Sequence, residues 1–223
     1  MKKYILYAIG EIILVVIGIL IALAINDRNT KIADEKELER IITLIEVDLQ
    51  NDLVEAKDIL KSTKDNYKLL TNVLYNSKFK DSIEDCVDCR YIMTQGQVAS
   101  FNSKGYELLT RFNKEVKTTN KAVDSLLNFY EKYDRNFFDF QNEIILNEVV
   151  DNMKYLRDNF DWYSEYYIGS TCNDQCLEYF QSSDYINRLT YYEALFFDNY
   201  LYLIDSYQSD INKMIHFLDL RKS

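Results

Sequence analysis

Tyr4-Ile-Leu-Tyr-Ala-Ile-Gly10-Glu11-Ile-Ile-Leu-Val-Val-Ile-Gly18-Ile-Leu-Ile-Ala22-Leu-Ala24-Ile25 is the one stretch of this chain long and apolar enough to cross a bilayer. As a helix it rises roughly 33 Å, against a hydrocarbon core of about 30 Å. The residues after Glu11 would cover only about 21 Å, so that acid cannot be assigned to bulk water. Lys2-Lys3 and Ala22-Leu23-Ala24 mimic a secretory signal, but the apolar run is longer than a typical signal core, and an uncleaved anchor is expected. Apolar residues favour insertion by roughly 0.3 to 0.6 kcal/mol each, while an acid at the helix centre costs about 2.5 to 3.5. Ile12 to Ile25 together outweigh Glu11. The expected division is a tail over 1–3, a transmembrane helix over 4–25 and a helical body over 26–223.

Glu11, Val15, Gly18, Ala22 and Ile25 recur at spacings of three and four and share one helical face. Gly18 and Ala22 form a small-xxx-small pair that admits a second helix at close range. This face reads as a contact with another membrane helix, from a second copy or a different subunit, with Glu11 hydrogen-bonded or ion-paired across it. The plainer alternative is a chance pair of small residues, with Glu11 accommodated near the headgroups. A proton pathway needs several polar groups, and this helix offers one.

Counting Lys and Arg alone, Lys2 and Lys3 face Arg28, Lys31, Lys36 and Arg40 on the far flank, which would place the body inside. A short basic tail before the anchor and the ready export of large following domains argue the reverse. Two close cysteine pairs also suit an oxidising compartment. We therefore expect the tail in the cytoplasm and the body beyond the membrane.

The whole chain carries net charge −10, and the two tail lysines against the one anchor acid leave the body slightly more acidic still. Such a surface repels phosphate backbones, so nucleic acid is not an expected partner. With no proline and five glycines, long helices follow. One amphipathic helix is predicted from about Asp34 to Tyr75, through Leu38, Ile41, Ile42, Ile45, Leu49, Leu53, Ala56, Leu60, Tyr67, Leu70 and Leu74, nearly continuous with the anchor and forming a stalk. A second is predicted from about Thr119 to Trp162, with Phe137, Phe140, Ile144, Leu146, Val149 and Val150 among its apolar positions. A third runs to about Leu220 after Ser182-Ser183-Asp184, whose side chains can cap its first amides. Short helices and a turn near Phe101-Asn-Ser-Lys-Gly105 fill Cys86 to Phe112. The fold class is all-α: an N-terminal transmembrane helix leading into an antiparallel bundle.

Residues 7–26, with Gly10-Glu11-Ile12 and Gly18 to Leu23 at their centre, resemble the opening of a large bacterial family of single-span proteins of unknown function found in Gram-negative envelopes. A looser likeness covers Phe101, Tyr106-Glu107-Leu108 and Leu127-Asn-Phe-Tyr130. The resemblance implies an inner-membrane anchor with a periplasmic helical domain, and it implies no activity.

Cys86-Val-Asp-Cys89 and Cys172-Asn-Asp-Gln-Cys176 allow three disulfide pairings. Bridging one pair to the other would stabilise by about 4 kcal/mol, and local bridges by less. Disulfides are expected at Cys86, Cys89, Cys172 and Cys176, with zinc or free thiols as alternatives. No other cofactor or metal is expected. Aromatics crowd the C-terminal third; most read as core, and Trp162, Tyr163, Tyr166 and Tyr167 beside the second cysteine loop form a candidate ligand or partner surface.

His216 is the only histidine, and it suits a helix end better than catalysis. The acidic runs Asp34, Glu35, Glu37, Glu39 and Asp81, Glu84, Asp85, Asp88 match no calcium loop. No enzymatic motif is present, so two classes compete. The first is a non-enzymatic accessory or scaffolding subunit of an inner-membrane complex, in contact with the lipid bilayer and other membrane helices. The second is a periplasmic ligand-binding or sensor domain with an aromatic pocket.

Overall fold

The computed structural model describes residues 2–76, 83–118, 120–169 and 171–222, with the side chains of 2–9 and 222 outside the description. Among the described residues every regular element is helical, in agreement with the all-α expectation.

Helix α1, Lys2–Ser62, runs unbroken from the apolar span into the body, a rod of roughly 90 Å. It is exposed from Gly10 to Ala33 and becomes core from Leu38 onward, burying Leu38, Ile41, Ile42, Ile45, Leu49, Ala56 and Ile59. The predicted helix over 34–75 is thus the upper half of a longer one. It breaks at Thr63, whose hydroxyl donates to the Ile59 carbonyl at 2.7 Å; α2, Lys64–Tyr75, completes the rise.

A 3₁₀ segment, Asp88–Thr94, crosses the top of the body and leads into an extended strap that descends α1 antiparallel to it. The strap is pinned by acids and a serine on α1. Ser62 Oγ meets Gln97 Oε1 at 2.7 Å, Glu55 Oε1 accepts from the Ser100 amide at 2.6 Å, and Asp52 Oδ1 accepts from the Asn102 amide at 2.9 Å. Asp48 Oδ2 then accepts from the Gly105 amide at 2.8 Å. The strap ends in α3, Lys104–Arg111, followed by α4, Glu115–Thr118. Gly105, expected in a turn, instead opens α3. A Cβ there would stand 2.8 Å from the Ile45 backbone nitrogen and 2.9 Å from its Cα, so glycine permits backbone-to-backbone contact between α3 and α1.

The chain ascends again through α5, Lys121–Lys132, and α6, Arg135–Asn159. The single helix expected over 119–162 is divided here because Asn120 and Asp134 turn their side chains onto the Ala122 and Asn136 amides and start new helices; Thr119 lies outside the described residues. Helix α6 buries Phe138, Ile145, Val149 and Leu156, whereas Phe137, Phe140, Leu146 and Val150 are exposed, contrary to their expected core role. Helix α7, Tyr163–Gly169, and α8, Asp174–Gln181, cap the far end. Helix α9, Ser183–Tyr192, begins at a Ser182 cap as expected, passes through a π-helical segment, Glu193–Tyr200, and continues as α10, Leu201–Lys222. This descent is antiparallel to α1: Phe197 packs on Tyr67, Tyr207 bonds Asp52, and Arg221 pairs with Glu39 near the end that leads into the apolar span.

Tyrosine hydroxyls tie the irregular top together. Tyr185 donates to the Cys89 carbonyl at 2.6 Å, Tyr166 to that of Arg90 at 3.0 Å and Tyr192 to that of Gln95, while Tyr200 accepts from the Ala99 amide at 2.6 Å. Phenylalanine would fill the same space and leave these buried backbone groups without those partners.

Candidate functional site

In the apolar span, which is long enough to cross a membrane, Glu11, Val15, Gly18, Ala22 and Ile25 are all exposed on α1, and a Cβ placed on Gly18 meets nothing within 4 Å. At about 100° per residue, this face lies roughly opposite the one that carries Leu38, Ile41, Ile42, Ile45 and Leu49. The same outward face continues above the span through exposed Ile32, Val47 and Val54. The apolar span therefore presents its acid and its groove on the side of the rod away from its own bundle.

The cysteines pair locally. Cys86 bonds Cys89 and Cys172 bonds Cys176, so the long-loop pairing considered above does not form, and a four-thiolate zinc site would require both bridges to open. Among the described residues no group of three or more His, Cys, Asp or Glu side chains is placed to hold a metal ion; Asp81, from one acidic run, lies outside them. His216 is exposed on α10.

The aromatic surface expected around Trp162 is corrected by burial. Trp162 and Tyr166 are 5% and 1% exposed. Trp162 stacks on Phe160 at 4.8 Å and meets Tyr166 edge-on, while Tyr166 stacks on Tyr91 at 4.9 Å. Both are core residues of the cap. Tyr167 is exposed and half-buried Tyr163 stacks against it at 5.6 Å, so only these two retain a surface role.

A concavity with aromatic walls lies elsewhere, between the strap, α3, the α5–α6 turn and α10. It has a volume of about 440 Å³ and is walled by Phe101, Tyr106, Tyr130, Tyr133, Phe138 and Tyr207. Tyr207 is the hub, 4.4 Å from Phe101, 4.9 Å from Tyr133 and 5.2 Å from Phe138; Phe101 also stands edge-on to Phe138 at 5.0 Å, while Tyr106 stacks on Tyr130 at 4.4 Å. Glu107, Glu131, Asp134, Arg135 and Asp139 line it as well. Arg135 is engaged by Ser103 Oγ, by Glu107 at 3.7 Å and by Asp139 at 3.6 Å.

Behind the rings sits Asp52, fully buried, its carboxylate shared between Asn102 and the Tyr207 hydroxyl at 2.9 Å. Burial pushes its pKa up to about 6, against the opposing pull of those donors, with nearby Asp48 adding to the rise. Burial likewise raises Tyr130 and Tyr207, and Asp52 is the second cause for each. The wall behind the cavity is therefore electronegative. Sequence reasoning missed this site because it joins residues from Ala99 to Tyr207; the one local signal was the tyrosine repeat at 130 and 133.

A family model described as Family of unknown function (DUF6090) matches residues 11–190. The chain belongs to DUF6090. Within this DUF6090 chain the matched region opens on Glu11 and takes in both disulfides and every cavity residue except Tyr207 on α10. No curated protein and no solved structure matches it. Chemically, the DUF6090 site offers apolar faces, phenols and carboxylates: groups that hold a ligand by stacking and charge. Its carboxylates share the site with one arginine that two of them already neutralise.

Proposed function

We propose that this protein is a non-enzymatic accessory or scaffolding subunit of an inner-membrane complex, docked through its transmembrane helix, with its N-terminus in the cytoplasm and its body in the periplasm. The observation that carries this reading is the continuity of α1. One helix carries an acid-bearing, small-residue face turned away from its own bundle and then becomes the central wall of that bundle, so a partner gripped in the membrane fixes the direction of the whole body. The two local disulfides support an oxidising compartment for the body. The test is purification of the full chain in a mild detergent, with mass spectrometry of co-purifying membrane proteins. A discrete partner or a self-dimer that is lost in Gly18→Leu and weakened in Glu11→Gln is expected; a monomer indifferent to both substitutions would overturn the proposal. A reporter that matures only after export, fused at the C-terminus, tests the orientation.

A second reading, a periplasmic ligand-binding or sensor domain, is favoured by one observation. The cavity wall Phe101-Asn102-Ser103 belongs to the strap held by Asp48, Asp52 and Glu55 of α1. A ligand that moved the strap would act on the helix that enters the membrane.

A further inference from the structure

We propose that the cavity between the strap and the α5–α6 turn binds a small organic ammonium ion, with its apolar body against the rings and its charge toward the carboxylates. This rests on the second reading above and names its ligand class. Three independent features point the same way.

The volume, about 440 Å³, falls in the range of pockets that enclose small organic ligands, roughly 300 to 1,000 Å³. Its walls are aromatic, and ring faces attract cations through their quadrupole, most strongly where water is excluded. Tyr133 already takes one ammonium in this corner: Lys132 Nζ stands 4.9 Å from its ring centroid. The charge around the cavity is also one-sided. Of the charged residues that line it, Glu107, Glu131, Asp134 and Asp139 are acidic and Arg135 is basic; Lys132 beside it is paired with Asp210, and buried Asp52 and Asp48 lie behind the wall. Arg135 is taken up by Glu107 and Asp139 and Asp134 Oδ1 caps α6, which leaves Glu131 as the carboxylate for a ligand. An anionic ligand would meet this excess of carboxylates, whereas a neutral one would leave it unused. Within the wall, Tyr130 is 6% exposed and its hydroxyl makes no hydrogen bond among the described residues.

Height separates the possible sources of such a cation. The lowest lining residues, Tyr106 and Glu107, follow Gly105, which packs on Ile45 about 30 Å along α1 beyond Ile25. A headgroup amine of the anchoring bilayer is out of reach, so the ligand is a solute.

The test uses the full chain in nanodiscs with three probes of one shape: benzylammonium, its neutral isostere benzyl alcohol, and benzoate. Saturation-transfer NMR and isothermal titration are expected to show benzylammonium binding about tenfold more tightly than benzyl alcohol, with benzoate silent. In Glu131→Gln, an exposed site whose replacement leaves the melting curve unchanged, the benzylammonium affinity should fall severalfold while that of benzyl alcohol stays put. Equal binding of benzylammonium and benzyl alcohol would overturn the ammonium assignment and leave a ligand cavity. Binding of benzylammonium that ignores both Glu131→Gln and Glu107→Gln would place it outside this cavity and also overturn the proposal. No binding by any probe would sink the ligand-binding reading with it.

Discussion

Asp52 is a buried carboxylate held by Asn102 and Tyr207 rather than by a cation. Its pKa rises from 3.8 to about 6 on folding, so the folded chain holds that proton more tightly than the unfolded one. Below about pH 4 the group is protonated in both states and contributes nothing; above about pH 6 it is ionised in both, and burial of the charge costs stability. The Asp52 contribution therefore falls by up to about 3 kcal/mol as the pH rises from about 4 to about 6. Asp52→Asn should flatten the stability profile across that window in urea titrations at stepped pH; an unchanged slope would refute the assignment. Asp210 behaves oppositely. Hydrogen bonds from Lys132, Lys213 and Tyr133 hold its carboxyl well below the usual range, so its contribution is present above about pH 4 and lost in stronger acid. The tyrosine ties make a second prediction at this scale. Tyr185→Phe removes the donor to the buried Cys89 carbonyl and should cost about 1 to 3 kcal/mol by denaturant unfolding, whereas the same change at exposed Tyr202 should cost almost nothing.

Among elements, the α1–α3 contact is the least forgiving. Gly105→Ala would drive a methyl group into the Ile45 backbone, and neither helix can yield without breaking the Asp48 bond beside it. A loss of several kcal/mol is expected, near the upper end for a single substitution, measured as a fall in the melting midpoint. The disulfides lie at the other extreme. Each closes a loop of a few residues, for which chain entropy gives about 2 kcal/mol. Reduction should loosen the cap around α8 and the 3₁₀ segment in hydrogen exchange while the α1–α10 pair stays protected.

How far the elements were legible follows from the same local chemistry. The apolar stripe from Leu38 to Ala56 announced the body half of α1, and the Ser182 cap announced α9. The divisions at Asn120 and Asp134 went unread because side-chain caps, not glycine or proline, make them. On α6 two apolar faces compete in one sequence, and only tertiary contact with the strap and the descending helix decides that Phe138 and Ile145 go inside while Phe137 and Phe140 stay out. Tyrosines that looked like surface or simple core are anchors for backbone roughly 75 to 100 positions away, a distance no local pattern spans.

For the whole molecule, anchor and body share one helix but not one set of contacts. Packing begins near Asp34, and the exposed turns from Asn26 to Ala33 carry only the direction of the rod. Replacing Asn29 and Thr30 by glycine should therefore leave the body's unfolding midpoint in place while widening the spread of spin-label distances between the span and α10. A loss of body stability greater than about 1 kcal/mol would show that the stalk contributes to the fold.

Pairing of α1 with α10 brings Glu39 beside Arg221, a separation of 182 residues. During synthesis the first helix to emerge is thus the last to be fully covered. The strap and α3 cover part of its stripe earlier, but the part that packs on α10 stays wet until that final helix arrives, and closure has to search across almost the entire chain. Such a topology folds slowly and leaves sticky surface exposed for longer. On the membrane-anchored reading proposed above, the span tethers that stripe from the outset and keeps the unfinished chain in two dimensions, beside whatever folding assistance the bilayer surface holds.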